Sequence, residues 1–297
     1  MGLTTAIWMG YGQGMTTSVT ITGSGTPIPS PDRAGPGVLV QCGDVNLQFD
    51  AGRSTLMRLA AMGVWPGQLD GVFVTHHHSD HLTGLQDLVL SRWVMDRAGG
   101  NLPMPIVLPA GPAERFVDKM LDAWEEDVAV RVEHNHRATK PQVNVTAFEL
   151  PTELTEVWSR GDVRVSAMQV RHEPVSHAVG YRVDSPDGSI AISGDTLVCG
   201  EVAELAAGAD VLVYEAMRFE VIQALPEARQ FILDYHADTR LIGAQAKEAG
   251  VGKLILTHLI PAPLTEEDEQ LFVQDVRAGG FEGEIVVAKD LDTLTLG

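Results

Sequence analysis

The stretch GVFVTHHHSDHL, Gly71 to Leu82, decides how the rest of the chain is read. Its first half is a short apolar run of β-branched and aromatic residues, the composition of a buried strand. Its second half places His76, His77, His78, Asp80 and His81 within six positions. In an extended segment alternate side chains share a face, so His76 and His78 can grip one ion while His77 points away. From His81 onward HLTGLQDLVLSRWVM has the spacing of an amphipathic helix. Where the chain turns into that helix, Asp80 and His81 are offset enough to serve a second ion beside the first. The order His-x-His-x-Asp-His between a buried strand and a helix is therefore read as a metal site.

Upstream, residues 1–15 show no period and are expected to form a poorly ordered leader, whereas TSVTIT from Thr17 alternates as a strand does. GSGTPIPSPDRAGPG, residues 23–37, is dense in Gly and Pro and is expected to be a loop bordering a site. VLVQCG and VNLQFDAG then read as a hairpin. Downstream, PMPIVLPA, VNVTAFEL and VRVSAMQV are strand-like, and GPAERFVDKMLDAWEEDV has helical spacing. YRVDSPDGSIAISGDT reads as a hairpin with an Asp-Gly turn, DVLVYEA and KLILTHL as strands, and a helix is expected from Asp238 to Glu248. Thr265 is the predicted N-cap and Gly279 the predicted stop of a last helix, after which GEIVVAKD and TLTL close the chain as strands. With no linker in sight, residues 16–297 read as a single α+β domain of packed sheets flanked by helices. Trp93, Trp124 and Trp158 are expected to shape a pocket or to serve as core.

The chain has 297 residues, 44% of them hydrophobic, ample for a buried core. Cys42 and Cys199 lie far apart, which argues against a disulfide framework or a thiolate zinc site and points to a reducing cytoplasm. Neither a signal peptide nor a run long enough to span a membrane is legible. The formal charge of -19, from 21 basic and 40 acidic side chains, repels polyanions, so nucleic acid is not expected as a partner. A small anion stays admissible, because bound metal reverses the potential locally. A homodimer is the default expectation.

On the motif of residues 76–81, the chain resembles the metallo-β-lactamase superfamily. That resemblance implies a four-layer αβ/βα sandwich holding two Zn2+, with Mn2+ or Fe2+ as alternatives. It implies a downstream His completing the first site, an Asp bridging both ions, and a final His completing the second. SGDT supplies Asp195 and LTHL supplies His258. RHEPVSHAVGYR offers His172 or His177; His172 is favoured because it ends a strand and precedes a proline-containing stretch and the Tyr181-Arg182 pair, as in the ribonuclease Z and arylsulfatase-like branch. Asp50 would brace the His loop. His134 and His136 read as solvated. Glu215 in DVLVYEA and His236 in DYHADT match the branch's Glu–His dyad, although Tyr214 stands where many relatives have His and His-Ala-Asp replaces His-Ser-Thr.

The implied enzyme is a dinuclear zinc hydrolase in which a hydroxide shared by the two ions attacks a small anionic ester, a phosphodiester or an aryl sulfate. Asp80 would orient the hydroxide and take its proton, while His236, set by Glu215, would protonate the leaving oxygen. The alternatives are a lactonase or β-lactamase acting on a cyclic ester or amide, a ribonuclease Z-like endonuclease, and an iron-dependent oxidoreductase. The short hairpin between Tyr181 and Ser193 encodes no basic arm, which turns the expectation away from RNA.

Overall fold

The computed structural model describes residues 16–96, 102–134 and 139–297, so the predicted leader and His136 lie outside the described residues. The first half supplies strands β1 (Thr17–Gly23), β2 (Gly37–Cys42), β3 (Val45–Phe49), β4 (Gly71–Phe73), β5 (Met104–Pro109) and β6 (Val143–Phe148). The second supplies β7 (Thr155–Arg160), β8 (Val163–Gln169), β9 (Val179–Ser185), β10 (Gly188–Ile192), β11 (Val211–Met217), β12 (Lys253–Ile260) and β13 (Glu284–Val287). Strand β14 (Thr293–Thr295) returns to the first sheet, whose order is β14-β1-β2-β3-β4-β5-β6; the second runs β13-β12-β11-β10-β9-β8-β7. Each half opens as an antiparallel meander and continues as parallel strands, from β3 through β6 and from β10 through β13.

The helices are α1 (Thr55–Ala61), α2 (Ser79–Leu82), α3 (Leu85–Met95), α4 (Pro112–Lys119), α5 (Glu125–His134), α6 (Gly200–Leu205), α7 (Phe219–Gln223), α8 (Thr239–Glu248) and α9 (Glu266–Ala278). Three apolar clusters separate four layers. Val19, Leu47, Phe73, Val165, Tyr181 and Val213 pack between the sheets. Leu59, Leu85, Leu88 and Val117 seal α1, α3 and α4 onto the outer face of the first sheet. Leu205, Ile242, Phe272 and Val276 do the same for α6, α8 and α9 on the second. Strand β11 shows the cause: Val211 and Val213 enter the inter-sheet core while Leu212 and Tyr214 face the helices, as a period of two dictates. The expected αβ/βα sandwich is the observed architecture.

Local departures from the sequence reading have physical reasons. The single helix expected over residues 111–128 is two, α4 and α5, separated by a short 3-10 turn at Asp122–Trp124. In the β9–β10 hairpin Ser185 pairs with Gly188, so Pro186 and Asp187 form the turn instead of Asp-Gly. Asp187 is held there by the Thr17 hydroxyl at 3.0 Å. Thr265 caps α9 as read, its hydroxyl accepting from the Asp268 amide, and at the start of α8 the Asp238 carboxylate accepts from the Arg240 amide. Among the described residues no helix is long and apolar enough to cross a membrane.

Candidate metal centre

The candidate residues gather where parallel strands end. Asp50 follows β3, Thr75 and His76 follow β4, Asp195 follows β10, Glu215 lies near the end of β11 and His258 near the end of β12. A crevice at the carboxyl ends of parallel strands is where loops can present side chains without breaking the sheet. Ring nitrogens of His76, His78 and His172 and a carboxylate oxygen of Asp195 lie within 4.8 Å of one another, and Asp80, His81 and His258 form a second such group. Asp195 Oδ2 serves both: it lies 3.9 Å from His76 Nε2 and His172 Nε2, 3.3 Å from His81 Nε2 and 3.4 Å from His258 Nε2.

These separations suit divalent cations. Zinc–nitrogen bonds in a tetrahedral site place neighbouring donor atoms about 3.3 Å apart. His172 Nε2 and His78 Nδ1 are 3.2 Å apart, and His258 Nε2 is 3.4 Å from Asp80 Oδ2. His76 Nε2 and His81 Nε2 are buried with no hydrogen-bond partner, a costly arrangement that a bound cation would relieve. Imidazole and carboxylate donors suit zinc, and also manganese or iron.

The surroundings fix which nitrogen is free. Asp50 accepts from the Thr75 amide at 2.8 Å, the Thr75 hydroxyl at 2.7 Å and His81 Nδ1–H at 2.7 Å. Having spent its only proton on Asp50, the Thr75 hydroxyl accepts from His76 Nδ1–H at 3.0 Å. His172 Nδ1–H donates to the Tyr235 carbonyl at 2.9 Å. In His76 and His172 Nε2 is thereby left with its lone pair facing the cluster; in His81, although burial disfavours the charge, Asp195 and Asp50 raise the imidazole well above its usual range, so a cation bound there would displace the Nε2 proton. Burial holds His76 well below the usual imidazole range and lowers His172 to about 4, so both are neutral donors. Burial alone would push Asp195 up, but the His258 and His81 imidazoles outweigh it and keep the carboxylate ionised.

Backbone irregularities at three positions aim these side chains. Strict alternation from Ile255, which faces the inter-sheet core, would send His258 to the helix side with Leu256. Instead Glu215 pairs with Thr257 and Ala216 with Leu259, so His258 is the extra residue of a bulge, with φ 46. Asp50 is also left-handed, at φ 53; such residues concentrate at functional sites. Gly194, at φ 62, precedes Asp195, and a Cβ there would stand 2.9 Å from the Val179 carbonyl oxygen.

Glu215 is buried on the inner face of β11. Its Oε1 accepts from the Thr196 amide at 3.0 Å and from His236 Nδ1–H at 2.9 Å. The His236 ring lies 5.4 Å from those of both His172 and His258, beside the two ligand groups. Burial disfavours the imidazolium, but Glu215 beside it prevails and raises His236 to about 9. His177 stands apart: its Nδ1 meets the Ser176 hydroxyl at 2.8 Å and its ring abuts Gly111. His134 ends α5, exposed. Trp158 packs edge-on against Phe73 between the sheets, Trp93 is buried with its indole N–H on the Thr139 carbonyl, and Trp124 is half-exposed with its indole on Gln86.

Residues 46–259 match the family model described as Beta-lactamase superfamily domain. Ribonuclease Z of Mycobacterium bovis is 38% identical over 279 residues, covering 92% of this chain and 96% of that protein. The chain belongs to the metallo-β-lactamase superfamily, on its ribonuclease Z branch. Among solved structures of that fold, a metallo-β-lactamase-fold protein from Bacillus subtilis superposes with a TM-score of 0.73 at 22% identity, covering 94% of this chain and 99% of that one. Human tRNase Z, short form, superposes with a TM-score of 0.64 at 21% identity, covering 94% and 99%.

Membership in this branch overturns the expectation of a small-molecule ester substrate, with nucleic acid not expected as a partner, because a relative matched along nearly its whole length is named for acting on RNA. The missing arm does not discriminate either: the 279-residue match takes in 92% of this chain, leaving room for only a few inserted residues in the relative. The physical error lay in using net charge. A charge of -19 averages the whole surface, whereas a phosphate responds to the field at the site. Sequence reasoning also missed Thr75, whose hydroxyl links Asp50 to His76; its position just before the motif was the available signal.

Proposed function

We propose that this chain is a dinuclear metal-dependent phosphodiesterase that cleaves RNA, the ribonuclease Z-type activity. The single observation that carries the reading is the Glu215–His236 pair at 2.9 Å beside the His/Asp cluster, in a chain 38% identical to a protein named Ribonuclease Z. His76, His78 and His172 would hold one cation, Asp80, His81 and His258 the other, and Asp195 both. Two divalent cations bound there would supply positive charge for the phosphate oxygens and lower the pKa of the attacking water.

The protein's own groups do the rest. Asp80, 3.4 Å from His258 and 3.7 Å from His81, is a carboxylate held ionised in the floor of the site and is placed to accept the water's proton. His236 turns Nδ1–H toward Glu215, so its Nε2 is the atom left to face substrate and pass a proton to the leaving oxygen. Glu215 keeps that ring oriented and cationic, a positioning role.

The test is end-mapping of RNA oligonucleotides incubated with the metal-loaded protein and with His236→Ala. The wild type is expected to cut RNA; His236→Ala is expected to retain two metals but lose about 10²–10⁴-fold in turnover. Full activity in that variant would remove His236 from the chemistry, and absence of RNA cleavage by the wild type would defeat the reading.

A further inference from the structure

The segment leading into His236 presents an aromatic face that no metal ligand needs. Residues Glu227–Asp234 form a 3-10 helix with no buried residue, although they include Phe231 and Ile232. Phe231 is 60% exposed. A lone exposed phenylalanine is ordinary. Here the ring is the outer member of a continuous series: Phe231 to Tyr235 is 6.3 Å between centroids, Tyr235 to His236 4.8 Å, and Tyr235 to His172 5.3 Å with the rings perpendicular.

The backbone that carries the series is tied down on either side of it. Gln230 Nε2 donates to the carbonyls of Gln223 at 3.0 Å and Leu225 at 2.7 Å, tying the 3-10 helix to the end of α7. The Tyr235 carbonyl is fixed by His172 Nδ1–H. An exposed apolar ring anchored one residue contact away from the reacting groups, with its solvent side open, has the form of a stacking platform. Unpaired bases are bound in this way, since every base has a π-face and stacking is tolerant of sequence.

Resting on the RNA-cleaving reading above, we propose that Phe231, backed by Tyr235, stacks on an unpaired nucleobase flanking the scissile phosphate. The pair thereby sets a preference for cleavage next to a single-stranded nucleotide. The occupant is a base, whose flat π-face can cover the whole ring, whereas a charged phosphate gains nothing from an apolar ring face.

The experiment compares wild type, Phe231→Ala and Phe231→Trp on an RNA oligonucleotide and on two versions of it made abasic in turn on either side of the cleaved bond. Equilibrium binding of the same RNAs is measured alongside. Phe231→Ala is expected to raise KM and weaken binding of the intact RNA about tenfold with kcat little changed. Phe231→Trp is expected to restore both. One abasic RNA is expected to be bound and cleaved by the wild type as weakly as the intact RNA is by Phe231→Ala, with no further loss when variant and lesion are combined. Equal losses on intact and both abasic RNAs, or no loss at all, overturn the stacking site while leaving the nuclease reading intact. A wild type that cleaves no RNA overturns the nuclease reading and the platform with it.

Discussion

At the scale of single residues the centre depends on proton placement as much as on donor identity. Thr75 and Asp50 turn His76 and His81 into directed donors, because a carboxylate accepts only and a hydroxyl has one proton to give. Asp50→Ala is accordingly expected to weaken metal binding by about 10–100-fold, measured by competition with a chromogenic chelator; unchanged affinity would mean that His81 orients itself. Glu215 raises the His236 pKa, so Glu215→Gln lowers it. Since the protonated ring is the acid, its loss then begins at lower pH. The alkaline limb of the kcat profile is expected to move toward neutrality in Glu215→Gln, and an unmoved limb would assign that limb to another group. The four proposed ligands His76, His78, Asp80 and His81 stood out as candidates because they are neighbours in sequence. The position of Thr75 beside the motif was visible, but its role was not, because that role exists only once Asp50 is folded against it.

At the scale of elements, strand ends and their irregularities place the ligands. Alternating valines and leucines make the strands of both sheets readable from sequence, and Val211 to Tyr214 is an unambiguous instance. The bulge at His258 is not readable, since the pattern of KLILTHL predicts a side chain on the wrong face. The 3-10 helix Glu227–Asp234 was equally hidden: it buries nothing and so imposes no period. Gly194→Ala should be costly at this scale. A Cβ at φ 62, 2.9 Å from the Val179 carbonyl oxygen, forces the turn to open and shifts Asp195. A loss of roughly 1–3 kcal/mol is expected, read as a lower melting temperature together with reduced metal occupancy. Thr265→Ala, which removes the cap of α9, is expected to cost about 1 kcal/mol with metal occupancy intact. Equal effects of the two changes on metal would contradict the placement of Asp195.

At the scale of the whole molecule, two half-sandwiches of meander plus parallel strands face one another across an apolar core. The first brings Asp50 and residues 75–81, the second His172, Asp195, Glu215 and His258, so the site exists only when the two are docked. Metal binding is therefore linked to folding, and removal of divalent ions by a chelator is expected to lower the melting temperature, with restoration on adding zinc. The α+β class was legible from alternating periods, but net charge misled about substrate because it carries no information on where charge sits. The most direct test of the central claim is titration of the metal-free protein with a divalent cation while RNA cleavage is followed. Cleavage is expected to saturate at two ions per chain and to be absent in Asp195→Ala. Cleavage that persists in the chelated protein, or none with two ions bound, would contradict it.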